Sequence, residues 1–185
     1  RVELHAMGCD AYSGSAHKWP VGPKEAGLLY VRRDRIDEVW PTHVGVGWES
    51  ALEAGARKFE VLGQRDDAAV AAMATTVGFH ETVGIDAVDA RVRALATALK
   101  DGLAERVPGV AFHTPRDPSL SAGVVVFRLP GVESHRPLFE RLYPEHGVAG
   151  AAMGGAFEGL RLCPHVYNTM DQVARAAEAV AALVR

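Results

Sequence analysis

The stretch Ser15-Ala16-His17-Lys18-Trp19-Pro20-Val21-Gly22-Pro23-Lys24-Glu25-Ala26-Gly27 runs directly into Leu28-Leu29-Tyr30-Val31. The second segment is apolar and reads as a buried strand. A lysine that does chemistry must reach its neutral amine form and hold a fixed position. A loop crowded with glycine and proline beside a buried strand supplies both conditions for Lys18. Ser15, His17 and the neighbouring backbone N–H groups can hold an anion next to it. Read alone, the combination suggests a phosphate-bearing carbonyl cofactor held as a Schiff base on Lys18. The competing reading of His17-Lys18 by itself is a surface turn with a basic dipeptide.

The surroundings are those of an ordinary globular chain. Its 185 residues suffice for one domain or two small ones with a real core. Hydrophobic residues make up 48% and charged residues 23%, and the net charge of -3 gives no reason to expect nucleic acid or an anionic membrane as a partner. No apolar run approaches a membrane span, and Arg1-Val2-Glu3-Leu4-His5 lacks the apolar core of a signal peptide. Cys9 and Cys163 are too few for a disulfide framework and lack metal-ligand spacing, so no metal is expected and a reducing cytoplasm is the simplest setting.

Along the chain, a strand is expected around residues 10–12 and a short helix from Arg32 to Val39, with Asp34 as its cap and Pro41 as its stop. Residues 42–48 form a glycine-punctuated loop. Phe59-Glu60-Val61-Leu62-Gly63-Gln64-Arg65-Asp66 leads into an alanine-rich helix over 66–80, which places backbone donors and a positive helix end near Gln64. The plain alternative is an ordinary capped helix start. A long helix over 85–106 carries Ile85, Val88, Val92, Leu95, Leu99 and Leu103 at helical spacing, a core stripe. Strands are expected over 109–113, 123–129, 148–151 and 160–162. Ser134 is the expected cap of a helix ending near His146-Gly147, and Thr169 of a final helix with Asp171 in its first turn.

A second chemical cluster is Glu158-Gly159-Leu160-Arg161-Leu162-Cys163-Pro164-His165-Val166-Tyr167-Asn168-Thr169. Arg161 lies between two leucines of an expected strand, where an unpaired buried guanidinium is expensive. Either it pairs with a protein carboxylate or it is kept for the carboxylate of a substrate, which its planar fork binds through two parallel hydrogen bonds. Cys163 reads as a small buried residue, since no activating partner is evident.

Ser-x-His-Lys, then Gly-Pro-Lys, then Gly-Leu-Leu-Tyr-Val-Arg together resemble the cofactor-lysine segment of class V pyridoxal-phosphate aminotransferases. That superfamily includes cysteine desulfurases, cysteine and cysteine-sulfoxide lyases and isopenicillin N epimerase-like enzymes. Leu160–Thr169 is similar to the segment whose arginine binds the α-carboxylate of the amino-acid substrate, which implies that role for Arg161. The resemblance implies that His165, Tyr167 and Asn168 orient the strand-to-helix turn. It also implies pyridoxal 5'-phosphate as cofactor, attached to Lys18, with Ser15 and His17 on its phosphate. Gln64 stands where the family has a threonine that binds the phosphate of the neighbouring subunit, so a contact across a dimer is implied. Cysteine desulfurases carry a persulfide-forming cysteine on the loop before the arginine, and Val148–Gly155 contains none. That departure argues against sulfur transfer through a cysteine persulfide.

The fold implied is α/β, the C-terminal part of a fold-type-I enzyme: residues 1–80 as the end of the large cofactor-binding domain and 81–185 as a small α+β domain. The family's ring-nitrogen aspartate, stacking ring and phosphate loop lie upstream of the lysine segment and find no counterpart before Lys18. An N-terminal half-chain is therefore an expected partner, along with dimerisation across the cofactor site. Among reactions, C–S or β-lyase chemistry on a cysteine-derived substrate ranks first, with epimerisation and transamination next. The rival from another class is a non-catalytic scaffold subunit of a split enzyme.

Overall fold

A computed structural model describes residues 2–184. It divides into two compact units, Arg1–Ile85 and Asp86–Arg185.

In the first unit, a short helix α1 (Leu4–Met7) precedes an antiparallel hairpin of β1 (Ala11–Ser15) and β2 (Gly27–Val31). Its register pairs Ala11 with Val31 and Ser15 with Gly27, so the strand extends to Ser15 itself. β2 departs from the expected buried strand: Leu28 and Leu29 are 42% and 54% exposed, and only Val31 is buried. Its apolar run pairs with β1 alone among the described residues, so neither neighbouring strand nor helix covers those leucines.

The next segment, Arg33–Glu38, is a 3-10 helix rather than an α-helix, and Asp34 lies inside it instead of capping it. The Asp34 carboxylate is taken by the Arg32 guanidinium at 2.6 Å, which removes it from any capping role. Arg32 and Arg35 also reach Asp10, at 3.0 and 3.3 Å. Two further turns follow, α2 (Trp48–Leu52) and a 3-10 helix Gly55–Glu60, before the long α3 (Asp67–Val83). Asp66 caps α3 by accepting from the backbone N–H groups of Ala68 and Ala69. Lys58, almost fully buried, donates to the Ile36 carbonyl and lies over the Phe59 ring, so its charge is held at the cost of one backbone acceptor.

The second unit contains the hydrophobic core. α4 (Ile85–Arg106) follows the expected stripe from Val88 to Leu103, but Ile85 in its first turn is exposed rather than core. A four-stranded antiparallel sheet is built from β3 (Ala111–Phe112), β4 (Val125–Arg128), β5 (Ala151–Met153) and β6 (Gly159–Leu162) in the order β3-β4-β6-β5. β3, β4 and β5 are shorter than the sequence suggests, β6 is one residue longer, and β5 begins at Ala151, where that expectation ended. Two helices complete the unit, α5 (Arg136–His146) between β4 and β5, and α6 (Met170–Ala182) after β6. Leu95, Leu99 and Leu103 of α4, Val125 and Phe127 of β4, Leu160 and Leu162 of β6, and Val173, Ala177 and Val180 of α6 form one buried cluster. Each large apolar side chain so enclosed contributes about 1.5–3 kcal/mol relative to exposure.

The N-terminal ends of α6 and α5 show how local chemistry sets boundaries. Thr169 accepts from the Gln172 N–H at 3.1 Å, while the Gln172 side chain accepts from the Thr169 N–H at 3.0 Å, a reciprocal capping box. For α5 the expected cap Ser134 is displaced by His135, which makes no side-chain cap. The His135 ring turns inward instead, fully buried, and accepts the Leu129 N–H at Nε2.

Candidate active site

Ser15 ends β1, and the chain then turns through His17 and Lys18 before re-entering the hairpin at Gly27. The link is closely determined by its own backbone. Ala16, completely buried, donates to Ala26 O at 2.9 Å and accepts from the Gly22 N–H at 2.8 Å. Within that frame the Val21 N–H closes a turn onto Lys18 O at 3.1 Å. Gly22 is required by space: a Cβ there would stand 2.7 Å from Ala16 O and 3.2 Å from the Met73 sulfur. The only non-glycine residues at positive φ among those described, Val21 (62°) and Glu25 (65°), both lie in this link. A left-handed L-residue costs about 1–2 kcal/mol, so the surrounding bonds must hold it there.

The donors of this turn remain available. Lys18, Ser15 and His17 are exposed, and among the described residues Lys18 has no carboxylate partner and Ser15 no hydrogen bond. His17 donates from Nδ1 to the Ala26 carbonyl at 3.1 Å, an assignment that follows because a carbonyl only accepts. That bond restrains the ring and leaves Nε2 without a partner among the described residues. An exposed amine, a hydroxyl and a fixed imidazole on one turn, with the backbone brought close by a side-chain-free Gly22, fit a phosphate-bearing carbonyl compound. Gln64 lies on a separate segment, exposed, just after Gly63 (φ 80°) and two residues before the Asp66 cap.

One contact to this turn has no sequence signature. His80, in the last turn of α3, donates from Nε2 to Pro20 O at 2.8 Å. A histidine near a helix C-terminus reads as a partner for the helix's own carbonyls, so nothing in the sequence points sixty residues back.

In the second unit Arg161 occupies the central part of β6, opposite Val126 of β4 and Ala151 of β5. It is the exposed residue of β6, so the burial cost anticipated from its leucine neighbours does not arise. Among the described residues no carboxylate pairs with it, and the ion-pair alternative is not realised. Cys163 is exposed, contrary to the expected buried residue, because it continues the outward face of the Arg161 alternation. Partial desolvation of its sulfur pushes the thiol up, with the Arg161 charge pulling the other way. The net result keeps the thiol protonated and unsuited to nucleophilic attack.

The turn after β6 is organised by Asn168. Its Oδ1 accepts the His165 N–H at 2.8 Å, its Nδ2 donates to Gln172 Oε1 at 3.0 Å, and its carbonyl accepts from Arg91 at 2.8 Å. His165 and Tyr167 stack with ring centroids 4.6 Å apart. The entry to β6 is held from the other side: Glu158 Oε1 accepts the His135 N–H at 2.8 Å and His135 Nδ1–H at 3.1 Å, and the Glu158 carbonyl accepts from His113 at 3.1 Å. A cavity of about 390 Å³ beside the turn is lined by Cys163, Tyr167, Asn168, Gln172 and Arg175 among others, but Arg161 is not part of its wall. Among the described residues there is no cluster of three or more metal-ligating side chains, and no helix is long and apolar enough to cross a membrane.

The fold is shared with solved pyridoxal-phosphate enzymes. The cysteine desulfurase of Thermococcus onnurineus NA1 superposes with a TM-score of 0.83 at 24% identity, over 98% of this chain and 48% of that one. The cystine C–S lyase C-DES does so with a TM-score of 0.82 at 22% identity, over 97% and 48%. The family description Aminotransferase class-V matches residues 1–175, and the chain belongs to that family, whose cofactor is pyridoxal 5'-phosphate. In sequence it is 33% identical to the isopenicillin N epimerase of Streptomyces clavuligerus over 98% of this chain and 49% of that protein. The chain thus spans about half the length of the curated relatives it matches.

Proposed function

We propose that this chain carries the cofactor lysine and the substrate-carboxylate arginine of a pyridoxal-phosphate enzyme acting on an amino acid. The observation that carries the reading is Arg161: an exposed guanidinium in the middle of a strand with no carboxylate partner among the described residues. Lys18 would hold the cofactor at its carbonyl carbon, and Ser15 and His17 would donate to its phosphate. When bound, the cofactor ring withdraws electrons from the substrate's α-carbon. Arg161 would orient the substrate by its carboxylate, and the Lys18 amine would accept and hold the α-proton. Gln64 is the candidate phosphate contact across a dimer, and an N-terminal half-chain supplies the remaining cofactor contacts.

Beyond that proton transfer, β-elimination from a cysteine-derived substrate is the reading the motifs favour first. The absence of a cysteine from Val148–Gly155 separates it from persulfide-forming desulfurization. Epimerisation is the second reading, favoured by the identity to an isopenicillin N epimerase along nearly the whole chain. Product analysis with cysteine conjugates separates the two: pyruvate and ammonia on one side, a racemised amino acid on the other.

The test of the common core is covalent attachment in the full-length protein. Borohydride reduction followed by peptide mass spectrometry is expected to place a pyridoxyl adduct on Lys18, and Lys18→Ala to abolish both adduct and turnover while assembly persists. Full cellular function in the Lys18→Ala protein would favour the scaffold reading instead.

A further inference from the structure

We propose that His80 is the positioning residue for Lys18: through Pro20 it sets the turn that presents the lysine amine. The proposal rests on Lys18 as the point of cofactor attachment. The Pro20 carbonyl can only accept, so His80 Nε2 carries the proton and donates to it at 2.8 Å. That carbonyl belongs to the peptide unit joining Pro20 to Val21. Holding its oxygen therefore fixes two rotations together, ψ of Pro20 and φ of Val21. The second of these is the left-handed φ of 62°, which a β-branched residue does not adopt unaided.

The consequences run both ways from that peptide. On one side, the Val21 N–H closes the turn onto Lys18 O at 3.1 Å, so the plane of the Pro20–Val21 unit sets the backbone direction at Lys18. On the other, the same conformation carries Gly22 close enough to donate to the buried Ala16 at 2.8 Å. His80 Nδ1 is buried and has no hydrogen-bond partner, so the bond to Pro20 is the ring's polar anchor. The Phe79 ring also lies edge-on to it at 5.2 Å, a contact indifferent to which nitrogen bears a proton. The tie is thus a single bond from a regular helix to a strained loop, two residues beyond the reactive amine.

The experiment compares wild type, His80→Phe, His80→Asn and His80→Gln in the full-length protein. The pyridoxal-phosphate dissociation constant is measured by absorbance titration, the Lys18 adduct by borohydride reduction and mass spectrometry, and loop order by hydrogen exchange at the Val21 and Gly22 amides. Phenylalanine keeps the ring volume without the donor; asparagine is too short to reach Pro20, whereas the glutamine amide spans the distance. The expected result is about five- to tenfold weaker cofactor binding in the Phe and Asn proteins, the loss of one neutral hydrogen bond. Exchange at Val21 and Gly22 is faster in both, and the Gln protein returns to near wild type in each readout. Should the Phe protein fail to fold, the Asn and Gln pair decides alone. Equal loss in Asn and Gln, or wild-type binding and exchange in Asn, overturns the proposal. A wild-type protein that binds cofactor without an adduct on Lys18 overturns the functional reading and this inference with it.

Discussion

The two units of this chain solve different problems with similar composition. In Asp86–Arg185 the stripe of α4, the inner positions of β4 and β6 and the apolar face of α6 close around each other. Among the described residues of the first unit, Ala16, Val31 and Pro41 are the buried apolar ones, while Leu28, Leu29, Trp40 and Val46 face outward. What order the first unit has comes largely from hydrogen bonds and ion pairs: the Ala16 frame, the Asp10–Arg32–Arg35 cluster, Lys58 on Ile36. The unit with the core supplies a rigid strand for Arg161, and the unit without one supplies the constrained turn of Lys18. A site can therefore be held in place locally by directional bonds where apolar burial is scarce.

The contrast breaks first at Phe127. Phe127→Ala is expected to destabilise the second unit by about 3–5 kcal/mol, read as a fall in its unfolding midpoint. Leu29→Ala in this chain is expected to change stability by no more than about 0.5 kcal/mol, since the side chain is already half in water. If the same change in the chain assembled with the proposed N-terminal half costs as much as a core leucine, the hairpin is covered there. Next in size is Gly22→Ala, about 1–3 kcal/mol of overpacking confined to the first unit. Loss of the Lys18 adduct without a change in the second unit's melting would mark it as local.

Acid acts on the second unit at Asp89, Asp117, Glu145 and Glu158, whose carboxyls are all held below their ordinary range, and Glu158 is the one tied to the buried His135. The Glu158 carboxyl is held below the ordinary glutamate range, first by the His135 backbone N–H and then by the His135 ring. A lowered folded value means stabilisation that is complete above the unfolded glutamate value and is lost as pH falls through the folded one. Glu158→Gln is expected to flatten the acid limb of melting temperature against pH; an unchanged limb would sink this assignment. Smallest for stability is Arg161→Ala, within about 0.5 kcal/mol because the guanidinium is exposed and unpaired. Its effect is expected in KM for the amino acid, with cofactor attachment intact.

Much of the second unit was legible in the sequence because its periodicities are satisfied within the segment itself. The α4 stripe predicts burial correctly at Val88, Val92, Leu95, Leu99 and Leu103, though not at Ile85, and Thr169 caps α6 where a short polar residue should. The misreadings share a different cause. Leu28–Val31 has the composition of a buried strand, but burial depends on neighbours that composition does not reveal. Cys163 looks small and apolar, yet strand alternation puts it on the Arg161 face. Ser134 is the better cap by residue type, and His135 displaces it because a backbone N–H at Leu129 needs an acceptor. At the site, the motif residues were readable one by one. The bond from His80 to Pro20 was not, since no local pattern joins a helix end to a turn so distant in the chain.

The buried His135 ring has one more use. Because the Leu129 N–H donates to Nε2, the ring proton resides on Nδ1, shielded from water and directed at Glu158. An imidazole proton so enclosed exchanges slowly with solvent and is expected as a separate downfield line in a proton NMR spectrum. The protein thus carries its own label-free signal for the closed second unit. Its broadening would time the opening of β4 from α5 in the unmodified molecule.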